Sequence, residues 1–148
     1  MTVVAAVDSS ARSSAVLSQA FVLAADIGEP LHAVHVLRRS DFVGILEKQV
    51  EGQPLTDNYE IRRLGEEIVE RASRKSASIH DADAIETVVR VGDPPEELTA
   101  YADETDARYL VIGGRKRSPT GKALFGSVTQ QVMFEATIPV LNVPVDER

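Results

Sequence analysis

Short apolar runs alternate with longer amphipathic stretches along the chain. Such short, continuous runs are typical of strands that are buried on both faces of a sheet. Five of them predict strands at residues 3–7, 31–37, 85–91, 109–112 and 138–143. Between the runs, apolar side chains recur at the three- and four-residue spacing of one helix face, as Leu17, Ala20 and Ala24 do. This spacing predicts a helix between successive strands.

Turn and capping residues mark where the predicted helices begin and end. Gly28-Glu29-Pro30 ends the first helix, and Asp8-Ser9-Ser10 supplies side chains that can cap its start. Asp93, followed by two prolines and two glutamates, predicts another helix start, because these acids face the positive end of the helix dipole. Residues 38–57 are the least regular part of the chain, and a helix that ends near residue 78 follows them.

Strands that alternate with helices imply parallel βαβ units with right-handed crossovers. The sequence therefore predicts a single doubly wound α/β domain over residues 1–148, of the flavodoxin or Rossmann type, with a five-stranded parallel sheet and helices on both faces. Such sheets bind ligands at the carboxyl ends of their strands, near the point where the strand order reverses. Functional residues are expected at that edge.

Composition narrows the classes of function. The 148 residues include 16 basic and 23 acidic side chains, and the net charge of -7 disfavours nucleic-acid binding through phosphate neutralisation. The absence of Cys excludes a disulfide framework, a zinc–thiolate site and a cysteine nucleophile. No apolar run approaches the roughly 18 residues of a membrane span. The first residues also lack the basic segment of a signal peptide, so a cytoplasmic protein is expected.

The segment 113–127 joins the fourth strand to the last helix, where a parallel sheet presents backbone N–H groups to an anion. Four of the 16 basic residues lie within positions 115–122, which favours a phosphate-binding loop. The alternative is a solvated loop whose glycines only make turns. A Walker A loop is excluded, because Lys116 stands where its first glycine should be and Ala123 stands where its Mg²⁺-binding hydroxyl should be.

Four further segments resemble segments of one protein family. They are Ala6-Val7-Asp8-Ser9-Ser10, His35-Val36, Val91-Gly92-Asp93-Pro94 and the ending from Gly126 to Val143. Through them the chain resembles the universal stress protein family over essentially its whole length. Nucleotide-binding members of that family carry Gly, two residues, Gly, nine residues and then Gly-Ser or Gly-Thr. Gly113 and Gly126-Ser127 match this signature, whereas Lys116 replaces its second glycine. The resemblance also supports the strand order 3-2-1-4-5.

The resemblance implies a site for ATP or another adenine nucleotide, and leaves open whether Mg²⁺ accompanies it. It places Asp8 and Val36 beside the adenine and ribose, although Asp8 could instead cap a helix. Ser127 suits a phosphate, because its hydroxyl and its N–H can both donate at a helix start. Lys116 either crowds the phosphates or contacts them through its charge. The residues placed around the phosphates are Gly113, Arg115, Lys116, Gly126, Ser127 and Val128.

Three functions are compatible with these residues. The preferred one is a regulatory stress protein that binds an adenine nucleotide without efficient catalysis. The alternative is a nucleotide-independent protein that acts through dimerisation or partner binding, and a slow ATPase is the third. No catalytic base and no metal cluster stands out in the sequence. His32 and His35, for example, lie three apart on one strand and so point to opposite faces.

The last strand predicts a homodimer. In the order 3-2-1-4-5 it lies at the sheet edge, where unpaired backbone groups must be protected or paired. Pro139 and Pro144 each remove a donor, but the stretch between them is apolar apart from Asn142. If the prolines protect the edge sufficiently, the chain stays monomeric. Self-pairing about a twofold axis would instead bury Val140, Leu141 and Val143.

Overall fold

The computed structural model describes residues 1–47, 59–76, 78–115 and 126–145. The strands in these ranges are β1 Thr2–Ala6, β2 Leu31–Leu37, β3 Ile85–Val91, β4 Ala107–Arg115 and β5 Val140–Val145. They form one parallel sheet in the order β3-β2-β1-β4-β5, which confirms the prediction. The strand order reverses at β1, because β2 pairs with one side of it and β4 with the other.

Helices cover both faces of the sheet, as predicted. They are α1 Arg12–Ile27, α2 Arg39–Glu47, α3 Tyr59–Arg74, α4 Pro94–Glu104 and α5 Ser127–Glu135, with a short 3₁₀ turn at Ala82–Ala84. Successive side chains of β1 point to opposite faces of the sheet. Val3 packs in the core under α1 and α3, whereas Val4 packs in the core under α4 and α5. No helix in the described ranges is long and apolar enough to cross a membrane.

Some element boundaries differ from those predicted. β4 continues through its two glycines to Arg115, because Gly113 and Gly114 pair with Val143 and Pro144 of β5. α2 lies in the segment expected to be irregular; it begins where the Phe42 N–H donates to the Arg38 carbonyl at 3.0 Å. α3 ends at residue 74 rather than near residue 78.

The predicted end of α1 is confirmed, whereas the predicted side-chain cap at its start is wrong. Gly28 ends the helix in the left-handed conformation, with φ 69°, and its N–H donates to the last turn. At the other end, Ala11 is the N-terminal cap, and no side chain caps the helix. The Asp8 carboxylate bonds instead within the preceding loop, because it accepts the N–H of Ser10 at 2.8 Å.

Candidate functional site

A cavity of about 300 Å³ lies at the carboxyl ends of β1, β2 and β4, where the strand order reverses. This is the position that a doubly wound sheet offers to a ligand. Six of the residues predicted from the sequence line the cavity together: Asp8, Val36, Gly113, Gly126, Ser127 and Val128. The structure thus brings into one place residues that are up to 120 positions apart in the chain.

The loop between β1 and α1 is held by its own polar groups. The Asp8 N–H donates to Ser13 Oγ at 2.7 Å, and the Ser13 hydroxyl lies 2.8 Å from the Asp8 carbonyl and 3.0 Å from Asp8 Oδ1. Ser13 is 3% exposed, so it fixes the loop from the core side. Oδ1 of Asp8 is therefore engaged in positioning the loop.

The same contacts set the charge of Asp8. Burial is the largest single influence on its carboxyl group and by itself raises the pKa. Hydrogen bonds from Ser10 and Ser13, together with the positive charge of Arg12, outweigh burial and lower the pKa below the ordinary value of 3.8. Asp8 is therefore a carboxylate at neutral pH and a weak proton acceptor.

The opposite side of the cavity is the first turn of α5. Gly126 is its N-terminal cap, and no side chain caps the helix. Its carbonyl accepts the Gln130 N–H at 3.0 Å, which begins the helix, and the Thr129 hydroxyl donates to the Gly113 carbonyl at 3.2 Å. The bond from Thr129 ties this turn to the end of β4. The first N–H groups of α5 and the exposed Ser127 therefore lie at the cavity.

Glycine stands at several positions around the cavity for different structural reasons. A Cβ on Gly113 would lie 2.8 Å from Val16 Cγ2, and one on Gly114 would collide with the amide of Asn142. Both positions need glycine because neighbouring elements pack closely. Apart from its chain neighbours, no described residue has an atom within 4 Å of a Cβ built on Gly126, whose φ of -64° suits any residue. Packing among the described residues thus explains Gly113 and Gly114 but not Gly126.

Two predicted site residues fall partly or wholly outside what the structure describes. Arg115 ends β4 by its backbone, but its side chain is not among the described ones. Lys116, at the departure from the family signature, lies outside the described residues altogether. Their assignment to a phosphate site stays a prediction.

Several lining residues escaped the sequence reasoning. Arg38 directly follows β2, and Pro94 and Leu98 lie on the first turns of α4. The strand order could have indicated them, since α4 follows the predicted strand beside β2. Ser10 was considered only as a cap, yet it lines the cavity, and its hydrogen bonds help to lower the pKa of Asp8.

His32 and His35 contact different groups. His32 Nδ1 lies 2.6 Å from the Tyr101 hydroxyl on the α4 side, whereas His35 Nδ1 lies 3.0 Å from the Val7 carbonyl. They therefore make separate contacts, as their spacing predicted. Among the described residues, no group of three His, Asp or Glu side chains could hold a metal ion.

Two comparisons with known proteins point to the same family. The model of the universal stress protein family matches residues 1–144. A universal stress protein of Mycolicibacterium smegmatis is 40% identical over an alignment that covers 53% of this chain and 68% of the relative.

Solved structures resemble the chain over nearly its full length. A universal stress protein from Archaeoglobus fulgidus is 33% identical, with a TM-score of 0.64 over 96% of this chain and 97% of that one. A universal stress protein in complex with cAMP is 26% identical, with a TM-score of 0.63 over 97% and 96%. One from Archaeoglobus fulgidus in complex with dAMP is 25% identical, with a TM-score of 0.59 over 96% of both chains.

Proposed function

The chain belongs to the universal stress protein family, and from this premise we propose that it binds an adenine nucleotide in the cavity at the carboxyl ends of β1, β2 and β4. One observation carries the proposal. Six residues that the resemblance assigned to the nucleotide line a single cavity, whose volume of about 300 Å³ is at the lower end of the range for small-molecule sites. The relatives solved with cAMP and dAMP support the class of ligand.

The two sides of the cavity suit the two ends of a nucleotide. Val36, Pro94 and Leu98 offer an apolar surface beside Asp8, which fits a base and its ribose. The first turn of α5 offers backbone N–H groups, the positive end of a helix dipole and the Ser127 hydroxyl, which fit a phosphate.

One feature of the structure favours an occupant of this kind. A nucleotide close to Gly126 would account for the absence of a Cβ there, which packing among the described residues leaves unexplained.

We propose a regulatory binding protein rather than an efficient enzyme. Asp8 is the one carboxylate among the described residues that line the cavity. Its lowered pKa makes it a weak general base, and its Oδ1 already accepts hydrogen bonds. ATP as the particular nucleotide, an accompanying Mg²⁺ and a cytoplasmic location are further predictions from the sequence.

Calorimetric titration with ATP, ADP and AMP, each with and without Mg²⁺, tests the proposal. We expect saturable heat for at least one nucleotide and a weaker affinity for Ser127→Ala. Ser78→Ala is the matched control, because Ser78 is exposed and lies before the amino end of β3. The absence of heat and of any thermal shift at millimolar nucleotide would reject nucleotide binding. A phosphate-release assay separates a binding protein from a slow ATPase.

A homodimer through β5 is the second proposal, and it is the basis of the nucleotide-independent alternative. β5 lies at the sheet edge, where Leu141 is 39% exposed and Val140 is half-buried. Val143 is only 9% exposed because it already packs in the core, so its backbone rather than its side chain would contribute to the pairing.

Light scattering tests the dimer. We expect twice the chain mass of 16.1 kDa at micromolar concentration, and the monomer mass for Leu141→Lys with unchanged circular dichroism. The control is Phe134→Lys, because Phe134 is 87% exposed on α5 rather than on the edge strand. A monomer mass for the unmodified chain at both low and high salt would refute the dimer.

A further inference from the structure

Two cationic residues line the cavity, Arg12 and Arg38, and Arg38 has no part in the structure or the binding mode described so far. Arg38 directly follows the last residue of β2 and lines the cavity together with Val36 and Asp8. It is exposed, and no hydrogen bond or ion pair joins its guanidinium group to another residue in the described ranges. A long cationic side chain at a ligand cavity is thus available to the ligand.

Among the described residues, the local structure gives the side chain of Arg38 no role. Its carbonyl accepts the first helical hydrogen bond of α2, from the Phe42 N–H at 3.0 Å, so Arg38 occupies the N-terminal cap position. Ser, Thr, Asp or Asn is favoured there, because their side chains accept bonds from the helix N–H groups, whereas a guanidinium group can only donate. A cation is also unfavourable at the positive end of a helix dipole. Asp41 in the first turn offsets that charge without contacting Arg38 within the described contacts.

The strand order separates Arg38 from the turn proposed to hold the 5′-phosphates. β2 lies on one side of β1, and β4, which leads towards α5, lies on the other. Two steps of strand spacing place the ends of β2 and β4 about 10 Å apart. The backbone of Arg38 therefore lies nearer to the nucleoside end of the proposed ligand than to its 5′-phosphate end.

We propose that Arg38 recognises a phosphate group on the 2′,3′ edge of the ribose, so that the preferred ligand is an adenine nucleotide phosphorylated at that edge as well as at the 5′ position. This inference rests on the proposed nucleotide site. A guanidinium group binds phosphate through two parallel hydrogen bonds, which a lysine cannot reproduce. In dinucleotide-binding sheets an acidic residue beyond the first βαβ turn binds unmodified ribose hydroxyls, and an arginine nearby accommodates a 2′-phosphate. Here the residue directly after β2 is an arginine.

Calorimetry with matched ligands tests the inference. The probes are AMP, adenosine 3′,5′-bisphosphate and adenosine 2′,5′-bisphosphate, each titrated into the full chain at fixed ionic strength. We expect one of the two bisphosphates to bind about tenfold more tightly than AMP, the gain typical of a charge-assisted hydrogen bond. The better bisphosphate then identifies which ribose position Arg38 contacts.

Variants at two neighbouring arginines separate recognition from general charge. Arg38→Gln should weaken bisphosphate binding about tenfold more than AMP binding, so that the preference disappears, and Arg38→Lys should restore only part of the preference. Arg39→Gln is the control, because Arg39 is exposed but is not among the residues that line the cavity. Circular dichroism checks that each variant is folded.

The outcomes distinguish this inference from the proposed function. If AMP binds and neither bisphosphate binds more tightly, the role of Arg38 is overturned while the nucleotide site stands. An equal loss for AMP and bisphosphate in Arg38→Gln also overturns it, because it indicates stacking on the base. If no probe binds at all, the proposed function fails and the inference fails with it.

Discussion

The two walls of the cavity contain similar small polar residues, but the hydrogen bonds of these residues differ. On the β1–α1 wall, residues 8–16, the polar groups of Asp8 and Ser13 bond to each other and fix the loop. On the α5 wall, residues 126–129, the helix begins at Gly126 without a side-chain cap, and Ser127 is exposed. The first wall is largely complete without a ligand, whereas the second presents donors to whatever enters the cavity.

Because of this difference, glycines that belong to the same family signature have different roles. Gly113, on β4, packs against the β1–α1 wall, because its hydrogen atom leaves room for Val16 of α1. Gly126 has no comparable neighbour in the described chain. Substitutions on the β1–α1 wall should therefore change the stability of the fold, and substitutions on the α5 wall should change ligand affinity.

The largest expected effect is on stability, for Gly113→Ala. The added Cβ would lie 2.8 Å from Val16 Cγ2, and Val16 is 1% exposed, so the contact can be relieved only by shifting the buried Val16 side chain or by moving α1 or β4. Overpacking of this kind lowers the free energy of unfolding by about 2 kcal/mol. Urea denaturation measures it. Gly126→Ser is the control and should stay within about 0.5 kcal/mol of the unmodified chain. Equal destabilisation by both variants would contradict the distinction between the walls.

Ser13→Ala tests whether the β1–α1 wall is held by its own hydrogen bonds. Removal of Ser13 Oγ leaves the Asp8 N–H without the acceptor at 2.7 Å and frees the Asp8 carboxylate from one donor. An unsatisfied buried group costs about 1–2 kcal/mol, and urea denaturation again measures the loss. Ser18→Ala, on the same helix but half-buried, should cost less. If both variants cost the same, the contacts of Ser13 are not what stabilises the loop.

The order of the sheet and the position of the cavity could be predicted from the sequence because they depend on periodicity and on a family pattern. Residue contacts across elements could not. The close approach of Val16 to Gly113 depends on how α1 lies on β4, which no local pattern specifies. The capping role weighed for Asp8 was wrong for a similar reason: α1 begins at Arg12, too far along the chain for that side chain to serve as its cap. Arg38 was missed because its part in the cavity depends on the ending of β2 beside β1.

Gly126→Ser tests the role of the α5 wall in ligand binding. A serine at the N-terminal cap position accepts a hydrogen bond from the first helical turn, so the donors proposed to bind phosphate gain an internal partner. We expect the free energy of unfolding to stay the same or rise by a few tenths of a kcal/mol. Nucleotide affinity should fall about fivefold, the equivalent of one hydrogen bond. Calorimetry with the nucleotide that binds best measures the change. Unchanged affinity would show that these donors do not contact the ligand.

The smallest expected effect concerns the charge of Asp8. Its pKa is below 3.8 in the folded chain, so ionised Asp8 stabilises the fold above that pH, and the contribution disappears as the pH falls from 3.8 through the lowered pKa. A carbon-detected NMR titration of the Asp8 carboxyl group should give a midpoint below 3.8. In Ser13→Ala the midpoint should rise, because one of the hydrogen bonds that favour the carboxylate is lost. The same midpoint in both proteins would mean that Ser13 does not contribute to the charge of Asp8. A midpoint above 3.8 in the unmodified chain would mean that burial outweighs the hydrogen bonds, and the β1–α1 wall would then be less complete than its geometry indicates.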